Sequence, residues 1–295
     1  MKKSNLSGLG VAMVTPFTED KAIDWDALKK LTHFLIDGGV DYLVVQGTTG
    51  ESPTISQEEK QKILDTVITE NAGRLPIVFG IGGNATANVV NALKTFKLDG
   101  VDAILSASPY YNKPTQEGIY AHYKHLAENT NLPIILYNVP GRTASNIAAT
   151  TTLRLANDFD NIIAVKEASG DMEQIMHIIN ERPDNFLVIS GDDAITWPII
   201  AAGGDGVISV VGNGFPTEFK AVVEAGLNGD MPAANLAHYK LFPIIPLLFA
   251  EGNPGGIKEV LAHRKIMGTA MRLPLVNVSD GLKEALILST NKILR

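Results

Sequence analysis

Eight short apolar runs, each followed by a turn rich in glycine, proline or hydroxyl residues, restrict the fold of this chain more than any other feature. They are Leu9–Phe17, Tyr42–Gly47, Pro76–Gly82, Asp102–Pro109, Pro133–Pro140, Ile162–Ala168, Phe186–Asp192 and Asp205–Asn213. Each is apolar throughout, without the polar alternation of a half-exposed strand. That is the character of parallel strands covered on both faces. Amphipathic stretches lie between them. "DWDALKKLTHFLIDGG" opens on Asp24 as a candidate N-cap, and "SQEEKQKILDTVITENAG" opens on a Ser56-x-x-Glu59 capping box and ends at Gly73. Such βα units filling about 230 residues fit a closed (β/α)₈ TIM barrel, an α/β fold. A doubly wound open sheet has the same periodicity, which does not by itself show closure.

From about Met231 the pattern is helical and no strand is expected. The stretches are "PAANLAHYKLFPIIPLLFA", "GGIKEVLAHRKIMG" and "SDGLKEALILSTNKIL", with breaks near Gly229-Asp230 and Leu273-Pro274. The expected division is a barrel over residues 1–230 and a C-terminal helical extension over 231–295.

Composition removes several function classes. There is no cysteine, so disulfides, thiolate metal sites and a cysteine nucleophile are excluded. A formal net charge of -7 argues against nucleic acid or an anionic membrane as the main partner. The N-terminal pair Lys2 and Lys3 precedes only a short, glycine-rich apolar stretch, which suits a first strand better than a secretion signal. The longest apolar run, Leu241 to Ala250, is half a membrane span and holds two prolines. A soluble, cytoplasmic protein is expected.

In a parallel barrel the loops after the strands' C-terminal ends carry function. Those ends read "GTTGES" (Gly47–Ser52), "SPYYNKP" (Ser108–Pro114), "YNVPGRT" (Tyr137–Thr143), "VKEASGD" (Val165–Asp171), "SGDD" (Ser190–Asp193) and "SVVGNG" (Ser209–Gly214). Lys166 is the unusual member. Side chains alternate along a strand, so Ile162, Ala164 and Lys166 are expected on one face. If that face points inward, Lys166 tops the packed interior, where desolvation favours a free amine over an ammonium. A free amine can attack a ketone and form a Schiff base. The alternative is a lysine reaching into solvent or paired with Glu167.

Neighbouring strand ends favour the reactive reading. Tyr137 offers a proton shuttle, although a tyrosine in an apolar run also serves as core packing. Thr48 and Thr49 offer hydroxyls and turn amides for a carboxylate, or an ordinary turn. Arg142, after the rigid Val-Pro-Gly turn, suits a second carboxylate, or merely the surface. Other motifs fall short. "GIGGNA" (Gly80–Ala85) matches a loose dinucleotide fingerprint but lacks an acidic ribose partner. His122 and His125 share a helix face that reads as solvated, and "GDDAI" at Asp192-Asp193 reads as a turn and helix N-cap rather than a magnesium site.

At these motifs, in order and spacing from end to end, the chain resembles the dihydrodipicolinate synthase (4-hydroxy-tetrahydrodipicolinate synthase) branch of the pyruvate-dependent class I aldolase family. The resemblance implies a lyase of diaminopimelate and lysine biosynthesis. Lys166 would form a Schiff base with pyruvate, and the enamine would attack L-aspartate 4-semialdehyde before ring closure. Tyr137 would move protons through Thr48 and Tyr111, the latter supplied across a tight dimer interface. Thr49 and Ile208 would bind pyruvate, with Gly191 lining the pocket, and Arg142 would bind the semialdehyde carboxylate. The resemblance also implies a homotetramer of two tight dimers, with no metal and no organic cofactor. A sibling lyase of sugar or sialic acids is the rival reading.

One departure stands out. Lysine-inhibited members bind the effector near the positions of Ser52, Pro53, Gln57, Lys60, Asn84, Asn88 and Tyr110. Sensitive members carry histidine where this chain has Lys60 and glutamate where it has Asn88. An ammonium at Lys60 repels a cationic ligand, so weak or absent lysine feedback is expected.

Overall fold

Every apolar run coincides with a strand shorter than itself, the first strand starting one residue before its run. The computed structural model describes residues 6–295, so Lys2 and Lys3 lie outside the described residues. The strands are β1 (Gly8–Ala12), β2 (Tyr42–Val45), β3 (Ile77–Gly80), β4 (Ala103–Ala107), β5 (Ile134–Asn138), β6 (Ile162–Glu167), β7 (Leu187–Ser190) and β8 (Gly206–Ser209). They pair in sequence order, all parallel, and β1 closes onto β8. Closure leaves no edge, so the open sheet is excluded and the TIM barrel stands. The surplus of the first run, Met13 to Phe17, stays buried as loop. Its backbone is satisfied individually: Met13 N donates to Val44 O at 3.0 Å and Val14 N to Asn213 Oδ1 at 3.1 Å.

Two apolar layers result. The interior holds Tyr42, Val44, Val78, Leu105, Ile135, Tyr137, Ala164 and Ile189. The outer layer, between strands and helices, holds their neighbours of opposite parity, such as Leu43, Ile104 and Val165. Large and small residues interlock inside. A Cβ on Gly10 would sit 2.1 Å from the Tyr42 ring, so glycine there leaves the space that the tyrosine fills.

The register breaks once, in β6. Ile134 pairs with Ile162 but Ile135 pairs with Ala164, so Ile163 is the extra residue of a bulge. Ile162 therefore belongs to the outer layer, not to the face shared by Ala164 and Lys166 as simple alternation predicts.

Helix starts follow the sequence signals. Asp24 caps Trp25–Asp37, accepting from Ala27 N at 3.0 Å. Ser56 and Glu59 form the capping box of Gln57–Asn71. His122 departs from the expected solvated face of Gln116–Ala127. It is 4% exposed, its Nδ1 meets Thr86 Oγ1 at 2.8 Å, and burial lowers its pKa to about 4. His125 does remain exposed.

The extension is helical over Met231–Leu241, Ile245–Phe249, Gly255–His263 and Asp280–Ile293. The expected single stretch through "LFPIIPLLFA" divides at a tight turn, Phe242–Ile244, because Pro243 and Pro246 are tolerated only in first turns. Among the described residues, no helix is long and apolar enough to cross a membrane.

Candidate active site

Lys166 and Tyr137 meet at the barrel mouth because β5 and β6 place them in register. The Lys166 Nζ lies 4.3 Å from the centroid of the Tyr137 ring, and both side chains are buried at 6% exposure. Among the described residues no carboxylate pairs with this amine. Glu167, its neighbour, points outward beyond the bulge. There it accepts from Asn138 Nδ2 and Gln174 Nε2, both at 2.8 Å, and from Ser169 Oγ at 2.7 Å. Burial raises the Glu167 carboxyl above its usual range. The solvated or Glu167-paired lysine is thus not what forms.

Gly191, after β7, makes room for the lysine arm. A Cβ there would lie 3.0 Å from Lys166 Cε and 2.7 Å from Ala168 Cβ. Across the mouth, Thr48–Gly50 forms one tight turn after β2. Thr49 is 2% exposed and its Oγ1 accepts from Asn253 Nδ2 at 3.1 Å. Together Lys166, Tyr137, Thr48, Thr49, Arg142 and Gly191 line a cavity of 640 Å³.

Ile208 is buried in the barrel interior and lines no described cavity, while Tyr111 is 86% exposed outside this one. A second cavity, of 480 Å³, lies against the first and shares Thr48, Tyr137, Val139 and Arg142 with it. Ser52, Pro53, Lys60 and Tyr110 line it, and burial lowers the Lys60 pKa. Gln57, Asn84 and Asn88 are exposed and do not, and Gln57 Nε2 donates instead to Thr95 Oγ1 at 3.1 Å.

Asp193 corrects the N-cap reading. The helix Thr196–Ala201 has no side-chain cap. The Asp193 carboxylate is buried instead, accepting from Ser209 Oγ at 2.6 Å, Val210 N at 3.0 Å and Val211 N at 3.2 Å. Desolvation, opposed by those bonds, pushes its pKa up to about 6. It ties the loops after β7 and β8 together beside the cavity. Asp192 does keep the local turn, accepting from Ala194 N at 2.9 Å.

The helical extension supplies what strand-end reasoning missed. Phe242, Ile245, Pro246 and Phe249 form an apolar wall of the larger cavity, and Asn253 adds a polar group. Among the described residues the Asn253 Oδ1 is buried without a hydrogen-bond partner. The apolar wall was visible as a run too short for a membrane, but its destination was not. Among the described residues, no group of three histidine or acidic side chains could hold a metal.

The comparisons agree with this geometry. A family model, the dihydrodipicolinate synthetase family, matches residues 5–291. The chain is 53% identical over 286 residues to a 4-hydroxy-tetrahydrodipicolinate synthase of Flavobacterium psychrophilum, covering 97% of this chain and 98% of the relative. A dihydrodipicolinate synthase crystal structure from Aquifex aeolicus superposes with a TM-score of 0.94 at 40% identity, covering 97% and 98% of the two chains. A chloride-inhibited dihydrodipicolinate synthase of Acinetobacter baumannii, solved in complex with pyruvate, gives 0.95 at 38% identity, covering 98% and 99%. A buried lysine beneath a tyrosine, in a closed barrel matched over almost its whole length, places this chain in the dihydrodipicolinate synthetase family.

Proposed function

We propose that Lys166 is the covalent centre of a condensation between pyruvate and L-aspartate 4-semialdehyde, a step of diaminopimelate and lysine biosynthesis. One observation carries the reading: a buried amine with no anionic partner among the described residues, lining a cavity beside a tyrosine. The unprotonated amine adds to the pyruvate carbonyl, and loss of water from the carbinolamine leaves an imine. Loss of a methyl proton gives the enamine, whose carbon bonds to the aldehyde carbon while the aldehyde oxygen takes a proton. The substrate's own amino group then adds to the imine carbon, releasing Lys166 and closing the ring.

Tyr137 moves these protons, relayed by Thr48 and by Tyr111 from a second copy, since a chain's own Tyr111 stands outside the cavity. Thr49 receives the pyruvate carboxylate, with Gly191 beside the lysine and Ile208 below. Arg142, on the wall of both cavities, takes the second carboxylate. This favours the semialdehyde over a polyol, and the relatives likewise support the synthase reading over a sugar-acid lyase. The assembly is a cytoplasmic homotetramer of two tight dimers that needs no metal or organic cofactor. Residues 231–295 act as a separate unit docked on the barrel of residues 1–230. Lysine binds weakly or not at all beside Lys60; strong inhibition at millimolar lysine would refute that.

Borohydride reduction with pyruvate, followed by peptide mapping, tests the centre: the adduct is expected on Lys166, and its absence overturns the reading. Arg142→Ala should lose semialdehyde turnover while still forming the adduct. Turnover of a sialic acid by the wild type would favour the rival lyase.

A further inference from the structure

Three side chains of the helical extension end on the turn that follows β2. Asn253 holds Thr49, as described. The ammonium of Lys258 pairs with the Glu51 carboxylate, and neither side chain is exposed at all. Lys258 also donates to Ala270 O at 2.8 Å and lies 4.5 Å from the Phe17 ring centroid. Glu51's other oxygen accepts from Arg272 N at 3.1 Å. Arg272 continues outward to Thr54 O at 2.9 Å and to both oxygens of Glu59, at 2.8 and 2.6 Å.

Glu51 is the hinge of that turn. It ends Thr48–Gly50 and begins Ser52–Thr54, with φ at 55°, a left-handed conformation that glycine adopts more readily. A non-glycine residue stays there only when its surroundings hold it. Stability alone does not account for the choice, because a buried ion pair often gains little over apolar packing of the same volume. What the pair does provide is a fixed direction for Thr48 and Thr49, which line the catalytic cavity immediately before it.

We propose that Lys258 is a positioning residue for pyruvate: through Glu51 it sets the Thr48–Thr49 turn against Lys166, so that the helical extension completes the ketoacid site. This rests on the reading of Thr49 as the pyruvate carboxylate ligand. A displacement near 1 Å can cost roughly a hundredfold in rate when reacting groups must be aligned.

The test compares the wild type with Lys258→Met, Glu51→Gln and the double variant Lys258→Met/Glu51→Gln, all as full chains. Melting temperature, KM for pyruvate, kcat and borohydride labelling of Lys166 are measured. Lys258→Met, which strands a buried carboxylate, should melt lower and raise KM for pyruvate about tenfold. The double variant, with neither charge, should recover melting temperature but keep the raised KM, and Lys166 should still be labelled. Glu51→Gln, which retains an oxygen for Arg272, should raise KM in the same direction. A folded double variant or Glu51→Gln with wild-type KM and kcat would overturn the proposal, leaving Lys258 as a tail anchor. Failure of the wild type to label at all would instead remove the Schiff-base reading.

Discussion

Among the described residues two lysines are buried, in contrasting surroundings. Lys258 is wholly buried and locked to Glu51, and burial still lowers its pKa to about 8 against that carboxylate's pull. Lys166 is nearly as buried, yet among the described residues its amine has a tyrosine ring for company and no anion. The first is closed off with its counter-ion; the second opens into a 640 Å³ cavity. Burial alone therefore does not mark a reactive lysine. Burial without a counter-charge among the described residues, beside space for a ligand, is what sets Lys166 apart from Lys258.

Several measurements can break or sharpen that contrast. The largest effect concerns reactivity. Lys166→Met should lower kcat by roughly a thousandfold or more if its amine forms the proposed covalent bond, since no second lysine lines the cavity among the described residues. Pyruvate and borohydride should label Lys166 and leave Lys258 untouched; a label on Lys258 would end the contrast.

Stability should run the other way. Glu51→Leu leaves the Lys258 ammonium buried without its partner, at a cost of about 3–5 kcal/mol in urea unfolding. Lys166→Met, which removes an unpaired amine from an apolar layer, should shift stability by less than about 1 kcal/mol or raise it. Equal losses for both variants would show that the two lysines are held alike.

The smallest effect lies at the exposed end of the same anchor. Arg272 holds the Glu59 carboxyl down at about 2, against an ordinary value of 4.5. A depressed acid contributes its stabilisation above pH 4.5 and loses it as pH falls towards 2. The pair is partly solvated, so Arg272→Met should cost only about 1 kcal/mol at pH 7, with the gap to wild type closing on acidification. A gap as large at pH 2.5 as at pH 7 would mean that Arg272 acts through packing instead.

The barrel was legible because eight doubly covered strands leave eight apolar runs, and strand ends are where such a barrel keeps its chemistry. That reasoning picks out Lys166, Tyr137, Thr48, Thr49, Arg142 and Gly191, which line one cavity. The missed parts depend on tertiary placement. Asn253 and the apolar wall come from helices whose docking face carries no local signal. Lys258 reads as one more charge in an amphipathic helix, although it is fully buried. His122 and Asp193 misled for the same reason: spacing shows which residues share a surface, not whether another element covers it.

The bulge in β6 also left no mark in the sequence, and it settles which chemistry the mouth presents. Lys166 and Glu167 are adjacent, so strict pleating from Ile162 would hand the central position to the acid and send the base out among the helices. Because Ile163 stands outside the ladder, the base and not the acid takes the central position. Deleting Ile163 should leave Ala164 opposite Ile135, so the ladder straightens while Lys166 keeps its place at the mouth.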